Sequence, residues 1–183
     1  MATTIELLTA EEYAKLPAEG RPTELVRGKV VTMNVPAQMH GYICSRVAWV
    51  LNSHIIPREL GRVMTNDSVV ITERNPDTVR GADVSFYSFE RLPKGSFPNR
   101  YLPIVPELVV EVLSPDDRWS KVHAKVAEYL SAGVSVVCVV DPKTESAHLY
   151  YPDQPVRALA KSDDLTVPEI LGDFRVAVSK LFE

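Results

Sequence analysis

The chain has 183 residues and a formal net charge of -4, with 45% hydrophobic and 24% charged residues. This composition excludes long disordered, collagen-like and coiled-coil proteins, and the length predicts one domain spanning residues 1–183. The apolar run at residues 134–140 is far shorter than the roughly 20 residues that cross a bilayer. The first six residues also lack the features of a secretory signal, so we expect a cytoplasmic protein with no membrane partner.

The distribution of charge restricts the partners of the protein. The negative net charge excludes a uniformly basic nucleic-acid binder, but the acidic excess lies entirely in residues 126–183. A locally basic face in the first two thirds of the chain therefore remains compatible with binding to a phosphate backbone. The two cysteines, Cys44 and Cys138, have apolar neighbours and predict two buried free thiols rather than a disulfide.

The N-terminal part predicts a helix, a hairpin and a second helix. A capping-box pattern at residues 9–12 begins a short helix that Pro17 ends. Residues 24–33 contain two strand-like segments around an Arg-Gly dipeptide, which is typical of a β-hairpin. Apolar residues then recur at helical spacing, so we expect an amphipathic helix over residues 38–55 with His40 in its first turn.

Strand patterns follow in the middle of the chain. Residues 62–65, 68–72 and 79–87 predict successive strands, which pair antiparallel because no helix separates them. After a proline-rich connection, residues 108–113 form a nearly continuous apolar run. Such a run indicates a central strand that is covered on both faces.

The C-terminal part completes the expected sheet. An amphipathic helix with Trp119 on its apolar stripe ends at Gly133, and residues 134–140 predict the next buried strand. Residues 148–151 and, more weakly, residues 176–178 also have strand patterns. The helix between two buried strands predicts a βαβ crossover, so the expected class is α/β or α+β, with a mixed β-sheet flanked by helices.

Two charged residues lie where apolar side chains are expected. Glu111 interrupts the central strand, and burial of an isolated carboxylate costs several kcal/mol unless it is paired or bound to a metal. Lys125 lies three residues after Val122 and four before Tyr129, on or beside the helix stripe that faces the sheet. A structural salt bridge and an active site both explain this pattern, and both interpretations stay open.

Asp83 is the third polar candidate. It follows Gly81 and Ala82 in a predicted strand, and these small residues permit a close approach by a metal or by backbone. Asp83 and Glu111 would repel each other unless a divalent cation with oxygen ligands lay between them, and Mg²⁺ suits such ligands. A hydrogen-bonded structural aspartate is the alternative interpretation.

These residues resemble a known family. Asp83, residues 106–115 around Glu111, and residues 125–129 beginning with Lys125 are similar to the motifs of the Uma-type restriction endonuclease family. That family belongs to the PD-(D/E)XK nuclease superfamily. The resemblance implies a restriction-endonuclease-like core, Mg²⁺ or Mn²⁺ as the cofactor and DNA as the substrate.

The resemblance extends to the N-terminal part. Residues 24–30 are similar to the opening hairpin of the family, and Pro36 with His40 to its Pro-x-x-x-His helix start. These matches imply that Glu24 gives a further metal or water contact and that His40 lines the cleft. Taken alone, Glu24 is typical of an exposed strand residue and His40 of a helix terminus.

The resemblance also assigns roles to the three central residues. It implies that Asp83 and Glu111 are metal ligands and that Lys125 lies near the scissile phosphate. The usual Glu-x-Lys of the superfamily is here Glu111-Val112-Leu113, so the strand lacks the catalytic lysine and Lys125 on the helix would replace it.

Three hypotheses for function follow from the sequence. The first is a Mg²⁺-dependent DNA endonuclease, which we expect to work as a homodimer that cuts both strands. The second is a nuclease fold kept as a nucleic-acid-binding or assembly module with little activity. The third is a metal-dependent hydrolase with another substrate. The edge of the hairpin and the loop at residues 88–106 are the candidate dimer contacts.

Overall fold

The computed structural model describes residues 7–17, 20–95, 101 and 103–183. The helices in these residues are α1 Ala10–Tyr13, α2 Gln38–Ile55, α3 Trp119–Ser131 and α4 Pro168–Leu171, with a 3₁₀ helix at Val178–Leu181. The strands are β1 Thr23–Val26, β2 Lys29–Thr32, β3 Gly61–Glu73, β4 Thr78–Ser88, β5 Leu108–Val112, β6 Val136–Asp141, β7 Ser146–Tyr150, β8 Arg157–Leu159, β9 Asp164–Leu165 and β10 Val176–Ala177. No helix among these residues combines the length and the apolar character that a bilayer crossing requires.

One mixed sheet organises most of the strands. Its order is β2-β1-β4-β5-β6-β7-β8, and β3 also pairs with β4. Strands β5 and β6 are parallel and are joined by α3, while the other pairs of this sheet are antiparallel. The predicted βαβ crossover and the mixed sheet flanked by helices are therefore confirmed.

Helices cover both faces of the central strand β5. Val110 and Val112 belong to the core cluster that contains the apolar residues of α2. Val109 points into a second cluster with Val122 and Val126 of α3. Because successive side chains of a strand point to opposite faces, Glu111 lies on the α3 side with Val109. This placement brings a carboxylate under a helix that carries Lys125.

The local elements at the N-terminus follow the expected chemistry. The capping box of α1 forms, with the Glu12 backbone N–H donating to the Thr9 hydroxyl and the Glu12 carboxylate accepting from the Thr9 N–H. In the hairpin turn, Arg27 and Gly28 have φ values of 49° and 75°. Positive φ at both central residues suits the twist of a two-residue hairpin. This turn fixes which side chains of β1 face the rest of the sheet.

The structure differs from the sequence expectations at three points. The strands expected at residues 62–65 and 68–72 are one strand, β3, with an irregularity between Thr65 and Ser68 where Asn66 and Asp67 have positive φ. The short elements β8, β9 and α4 were not predicted. Cys138 is buried as expected, whereas Cys44 is only half-buried because it lies at the margin of the α2 interface.

The long strand β4 creates a fork in the sheet. One edge of β4 pairs with β3 along its length. The other edge is shared, because β1 pairs at Val79 and β5 pairs at residues 84–86. Residues 80–83 lie between these two pairings, and we call this segment the fork. On the edge that β1 and β5 share, the Gly81 N–H donates to Glu24 and the Gly81 carbonyl accepts from Lys125, so side chains replace a neighbouring strand there.

Candidate active site

Three carboxylates converge on the fork from three strands. Glu24 comes from β1, Asp83 from β4 and Glu111 from β5. Glu24 and Asp83 are buried, with 4% and 8% of their surface exposed. Carboxylates are rarely buried without partners because desolvation penalises the charged form. The contacts of each one therefore define what this site can do.

Asp83 closes the gap between β4 and β5. Its Oδ2 accepts a hydrogen bond of 2.7 Å from the backbone N–H of Val112 and lies 3.1 Å from Nε2 of His40. The first contact replaces a strand-to-strand bond at the point where the two strands separate. Among the described residues, no hydrogen bond reaches the second oxygen of Asp83, so that atom keeps its lone pairs for another ligand.

Glu111 is held on the opposite side of the fork by α3. Its Oε2 accepts from Nζ of Lys125 at 2.9 Å, and its Oε1 accepts from the hydroxyl of Tyr129 at 2.8 Å. Burial raises the pKa of Glu111 to about 7, and the negative charge of Asp83 acts in the same direction. This carboxylate is therefore close to its titration point near neutral pH.

Lys125 is the cation shared by this cluster. Its Nζ donates to the backbone carbonyl of Gly81 at 3.2 Å and to Glu111, and it lies 3.3 Å from Oε1 of Glu24. Burial alone would lower the pKa of Lys125, but the charges of Glu111 and Glu24 outweigh burial and raise it. The ammonium therefore stays charged and ties β1, β4 and β5 together.

Glu24 is fixed by a second cation, Arg80. The Glu24 Oε2 accepts from Arg80 at 2.8 Å, and its Oε1 accepts from the backbone N–H of Gly81 at 3.1 Å. Arg80 also makes two bonds of 2.6 and 2.7 Å to Glu128 of α3. Burial favours the neutral form of Glu24, but Lys125 and Arg80 outweigh it and lower the pKa of Glu24.

His40 approaches Asp83 from the first turn of α2. Its Nδ1 lies 3.5 Å from Sγ of Cys44, one helical turn further along. The hydrogen bonds to Asp83 and Cys44 raise the pKa of His40 to about 10. The contact with Asp83 therefore favours the protonated form of the His40 ring at neutral pH.

All five site residues predicted from the sequence meet at the fork. His40 contacts Asp83, while Lys125 contacts both Glu24 and Glu111. Glu24 is buried rather than the exposed strand residue that its pattern alone suggests. The salt bridge that the sequence left open for Glu111 and Lys125 is present, and it lies within the carboxylate cluster.

Other residues of the site were not identified from the sequence. Tyr129 was assigned to the apolar stripe of α3, yet its hydroxyl bonds Glu111. Arg80 and Glu128 form an ion pair beside these residues. Arg80 is a charged residue within a predicted strand, and Glu128 is a charged residue on the sheet side of a predicted helix. These two positions were the sequence signal that could have identified the pair. Asp67 lies nearby on the bulge of β3, where the Cβ of Asp67 packs against Gly81.

The donor set at the fork is suited to a divalent cation. Asp83 and Glu111 lie on adjacent strands, and their mutual repulsion contributes to the raised pKa of Glu111. A hard cation relieves such repulsion, and Mg²⁺ and Mn²⁺ prefer carboxylate oxygens. Among the described carboxylates of the fork, the second oxygen of Asp83 and the remaining lone pairs of Glu111 could bind such an ion.

Two cavities formed by the described residues lie away from the fork. One is apolar and lies under α2, between Leu51, Val110 and Phe174. The other lies beyond the end of α3, beside Gly133 and Tyr151. The fork residues line neither cavity, so the candidate site is separate from both of them.

Comparisons with known proteins identify the family and the fold of this chain. A crystal structure of a "putative nuclease belonging to DUF820" from Anabaena variabilis is similar to the chain, with a TM-score of 0.83 and 25% sequence identity over 96% of this chain and 97% of that chain. No curated protein matches the chain. The model of the Uma2 family, described as "Putative restriction endonuclease", matches residues 10–179. The resemblance stated from the sequence is thereby confirmed, and the chain belongs to the Uma2 family.

Proposed function

We propose that this protein is an endonuclease that hydrolyses the phosphodiester bonds of DNA with Mg²⁺ or Mn²⁺ as its cofactor. The observation that carries the proposal is the convergence of Asp83, Glu111 and Lys125 at one fork in the sheet. Two carboxylates and one cation are the groups that metal-assisted phosphodiester hydrolysis uses. The family description and the nuclease named above support the same substrate class.

Asp83 and Glu111 would hold the ion. A divalent cation bound there supplies a Lewis acid that polarises the phosphate and lowers the pKa of a water molecule. Asp83 is held by the N–H of Val112 and lies beside His40, so a bound ion would meet a carboxylate that is already in position. Preorganised groups of this kind avoid the cost of reorganisation during the reaction.

Lys125 would stabilise the negative charge that develops on the phosphate. Its Nζ has three oxygen neighbours, those of Gly81, Glu111 and Glu24, which fix the direction of the ammonium group. We propose that Lys125 replaces the strand lysine that the Glu-x-Lys motif lacks. Glu24 would then orient Lys125, and His40 would orient Asp83 and line the cleft.

The comparisons favour a nucleic acid as the substrate. The family is described as restriction endonucleases, and the similar crystal structure is that of a nuclease. These descriptions support DNA over the third hypothesis, a metal-dependent hydrolase with another substrate.

Cleavage assays with matched variants test the proposal. The wild type is expected to nick or cut supercoiled plasmid DNA when Mg²⁺ or Mn²⁺ is added. Asp83→Asn and Glu111→Gln should lose at least about 100-fold in rate, because each removes a charged ligand. The control Asp153→Asn changes an exposed aspartate and should cut as the wild type does.

Calorimetry gives a second readout of the same site. Mn²⁺ should bind to the wild type and to Asp153→Asn, and binding should weaken strongly in Asp83→Asn. Circular dichroism spectra that match the wild type establish that each variant is folded. Cleavage that persists in both Asp83→Asn and Glu111→Gln, or Mn²⁺ binding that is equal in all proteins, contradicts the proposed roles.

A nucleic-acid-binding module with little activity is the second candidate. It is favoured by one observation, which is that both oxygens of Glu111 already accept hydrogen bonds from Lys125 and Tyr129. The hydrogen-bonding capacity of Glu111 is thus partly used without a metal ion. This candidate predicts a gel shift with DNA that weakens steeply with salt and no cleavage with any divalent cation.

We also propose that the chain acts as one domain, in the cytoplasm, and as a homodimer. One core cluster runs from Ile43 in α2 to Leu181 near the C-terminus, which supports a single folding unit.

The edge strand β2 exposes Val30 and Val31, so it offers an apolar edge to a second copy. The other candidate contact, residues 88–106, is only partly within the described residues. Light scattering that gives the monomer mass contradicts the dimer.

A further inference from the structure

His40 and Cys44 form a pair of metal-binding side chains beside Asp83. They lie four residues apart in α2, so both side chains emerge on the same face of the helix. One potential ligand atom of each of the three residues lies within 4.8 Å of the others. In the part of the chain that the structure describes, no other group of three histidine, cysteine or acidic residues meets this criterion.

The separation of the two ligand atoms fits tetrahedral coordination. Nδ1 of His40 and Sγ of Cys44 lie 3.5 Å apart. Zinc binds nitrogen at about 2.0–2.1 Å and thiolate sulfur at about 2.3 Å, and tetrahedral angles between such bonds place the two ligands about 3.5 Å apart. The helix therefore already holds the pair at the distance that the ion requires.

Asp83 supplies the contact that orients the imidazole. Its Oδ2 faces Nε2 of His40 at 3.1 Å, which leaves Nδ1 directed toward Cys44. Metal-bound histidines usually donate their other ring N–H to a carboxylate in this way, and this second contact fixes the ring. His40 and Cys44 of α2 thus provide two ligands, and Asp83 of β4 fixes the orientation of His40.

We propose that His40 and Cys44 bind a thiophilic divalent cation of the Zn²⁺ class, with Asp83 orienting the imidazole. This site differs from the carboxylate site at Asp83 and Glu111, which suits hard cations and has no sulfur ligand. On binding, the ion replaces the proton on Nδ1 of His40 and the proton on Sγ of Cys44, and both protons pass to solvent. Water molecules complete the coordination sphere. The proposal does not depend on hydrolytic activity.

Co²⁺ is the probe that tests the site, because cobalt bound to a thiolate has a near-ultraviolet charge-transfer band. The full chain titrated with Co²⁺ under reducing conditions should show this band at one ion per chain, and Zn²⁺ should abolish it by displacement. Excess Mg²⁺ should leave the band unchanged, since a hard cation competes poorly for sulfur. A spectrum without the band, or a band removed by Mg²⁺, overturns the proposal.

The second cysteine provides a matched control. Cys44→Ser should lose the band, and His40→Asn should weaken Co²⁺ binding at least about 10-fold because one ligand is gone. Cys138→Ala removes the thiol in β6, which lies in the core and not beside His40, and should keep the band. A band that persists in Cys44→Ser, or one that is lost in Cys138→Ala while that variant remains folded, contradicts the assignment.

Alkylation of the wild type gives a readout that requires no variant. Cys44 is half-buried and accessible to a small reagent, while Cys138 is buried. Zn²⁺ should slow the reaction of iodoacetamide with Cys44 at least about 10-fold, because a coordinated thiolate is a poorer nucleophile. Mg²⁺ at the same concentration should not slow it. Equal alkylation rates with and without Zn²⁺ overturn the proposal.

Discussion

Glu111 and Lys125 form a 2.9 Å ion pair that joins the central strand of the sheet to the helix that covers it. Their side chains are 12% and 20% exposed, so water screens the pair only weakly. The same ammonium lies 3.3 Å from Glu24 and donates to the carbonyl of Gly81. The arrangement of the fork therefore depends on one lysine that lies outside the sheet.

Removal of this cation should destabilise the whole protein. Lys125→Met leaves Glu24 and Glu111 buried without their shared partner, and we expect a loss of about 3–5 kcal/mol in the free energy of unfolding. Urea denaturation measures this loss. The control Lys161→Met breaks an exposed pair with Glu145 and should cost no more than about 1 kcal/mol. Similar losses of unfolding free energy in Lys125→Met and Lys161→Met would contradict the expectation that a buried ion pair contributes more than an exposed one.

A double variant separates the charge from the packing. Glu111→Gln combined with Lys125→Met removes both members of the pair, so the double variant should lose less stability than the sum of the two single losses. We expect a coupling energy of about 1–3 kcal/mol from the double-mutant cycle formed by the wild type, the two single variants and the double variant. Additive losses would indicate that the two side chains stabilise the fold independently.

The pH dependence of stability should reveal the protonation of Glu111. Burial raises its pKa to about 7 from the ordinary value of 4.5, so the folded chain keeps a proton that the unfolded chain releases. This group stabilises the fold fully below pH 4.5, and its contribution is lost as the pH rises through 7. Urea denaturation across this interval should therefore give a steeper fall for the wild type than for Glu111→Gln. Parallel curves would contradict a raised pKa.

Arg80 should be more important than an exposed arginine with equally short contacts. It bonds Glu24 and Glu128 and its side chain is 14% exposed, so Arg80→Ala removes the cation of Glu128 and one of the two cations beside Glu24. We expect a loss of about 3 kcal/mol in the free energy of unfolding. Arg175 pairs with Asp164 at 2.6 Å but is 69% exposed.

The matched variant Arg175→Ala should therefore change the free energy of unfolding by less than about 1 kcal/mol. Chemical denaturation of both proteins under the same conditions provides the comparison. A larger loss for Arg175→Ala than for Arg80→Ala would show that contact distance, and not burial, decides the contribution of an ion pair in this fold.

Two glycines should respond to alanine in opposite directions. A Cβ on Gly81 would lie 2.8 Å from the Cβ of Asp67 and 3.3 Å from its Cα, so the bulge of β3 would have to move. We expect Gly81→Ala to destabilise the fold by about 1–3 kcal/mol through this overpacking. It should also weaken Mn²⁺ binding, because the backbone of Gly81 holds both Glu24 and Lys125.

Gly41 is the control for this substitution. It lies within α2, and a Cβ there would meet no atom within 4 Å. Because alanine favours the helix over glycine, Gly41→Ala should stabilise the protein by about 0.5–1 kcal/mol. Thermal denaturation distinguishes the two outcomes by the sign of the change in Tm. A decrease in Tm for both variants would contradict the explanation that the space around each glycine decides the sign of the change.

The elements that the sequence predicted well are those with a strong local signal. The helix over residues 38–55 and the hairpin at residues 24–33 depend on periodicity and on one turn, and both form as expected. Residues 62–65 and 68–72 were expected as two strands, with the polar pair Asn66-Asp67 between them. In the structure the chain bulges there and continues along β4, since its partner strand provides pairing on both sides of the bulge.

The fork itself is not readable from local patterns. It exists because β1 and β5 share one edge of β4, and this sharing depends on pairings between distant parts of the chain. The apolar periodicity of α3 placed Lys125 on the sheet side of that helix. Glu111 could be identified because it is a charged residue in an otherwise apolar strand. The contacts of Asp83 with His40 and of Arg80 with Glu128 arise only when α2 and α3 pack on opposite faces.

The order in which the fork residues occur along the chain affects its synthesis. Translation delivers Glu24 first, then Asp83 and Glu111, while Lys125 leaves the ribosome only with α3. A nascent chain that ends at β5 therefore carries its carboxylates without the ammonium that neutralises them. The fork can therefore assemble only after α3 has emerged from the ribosome.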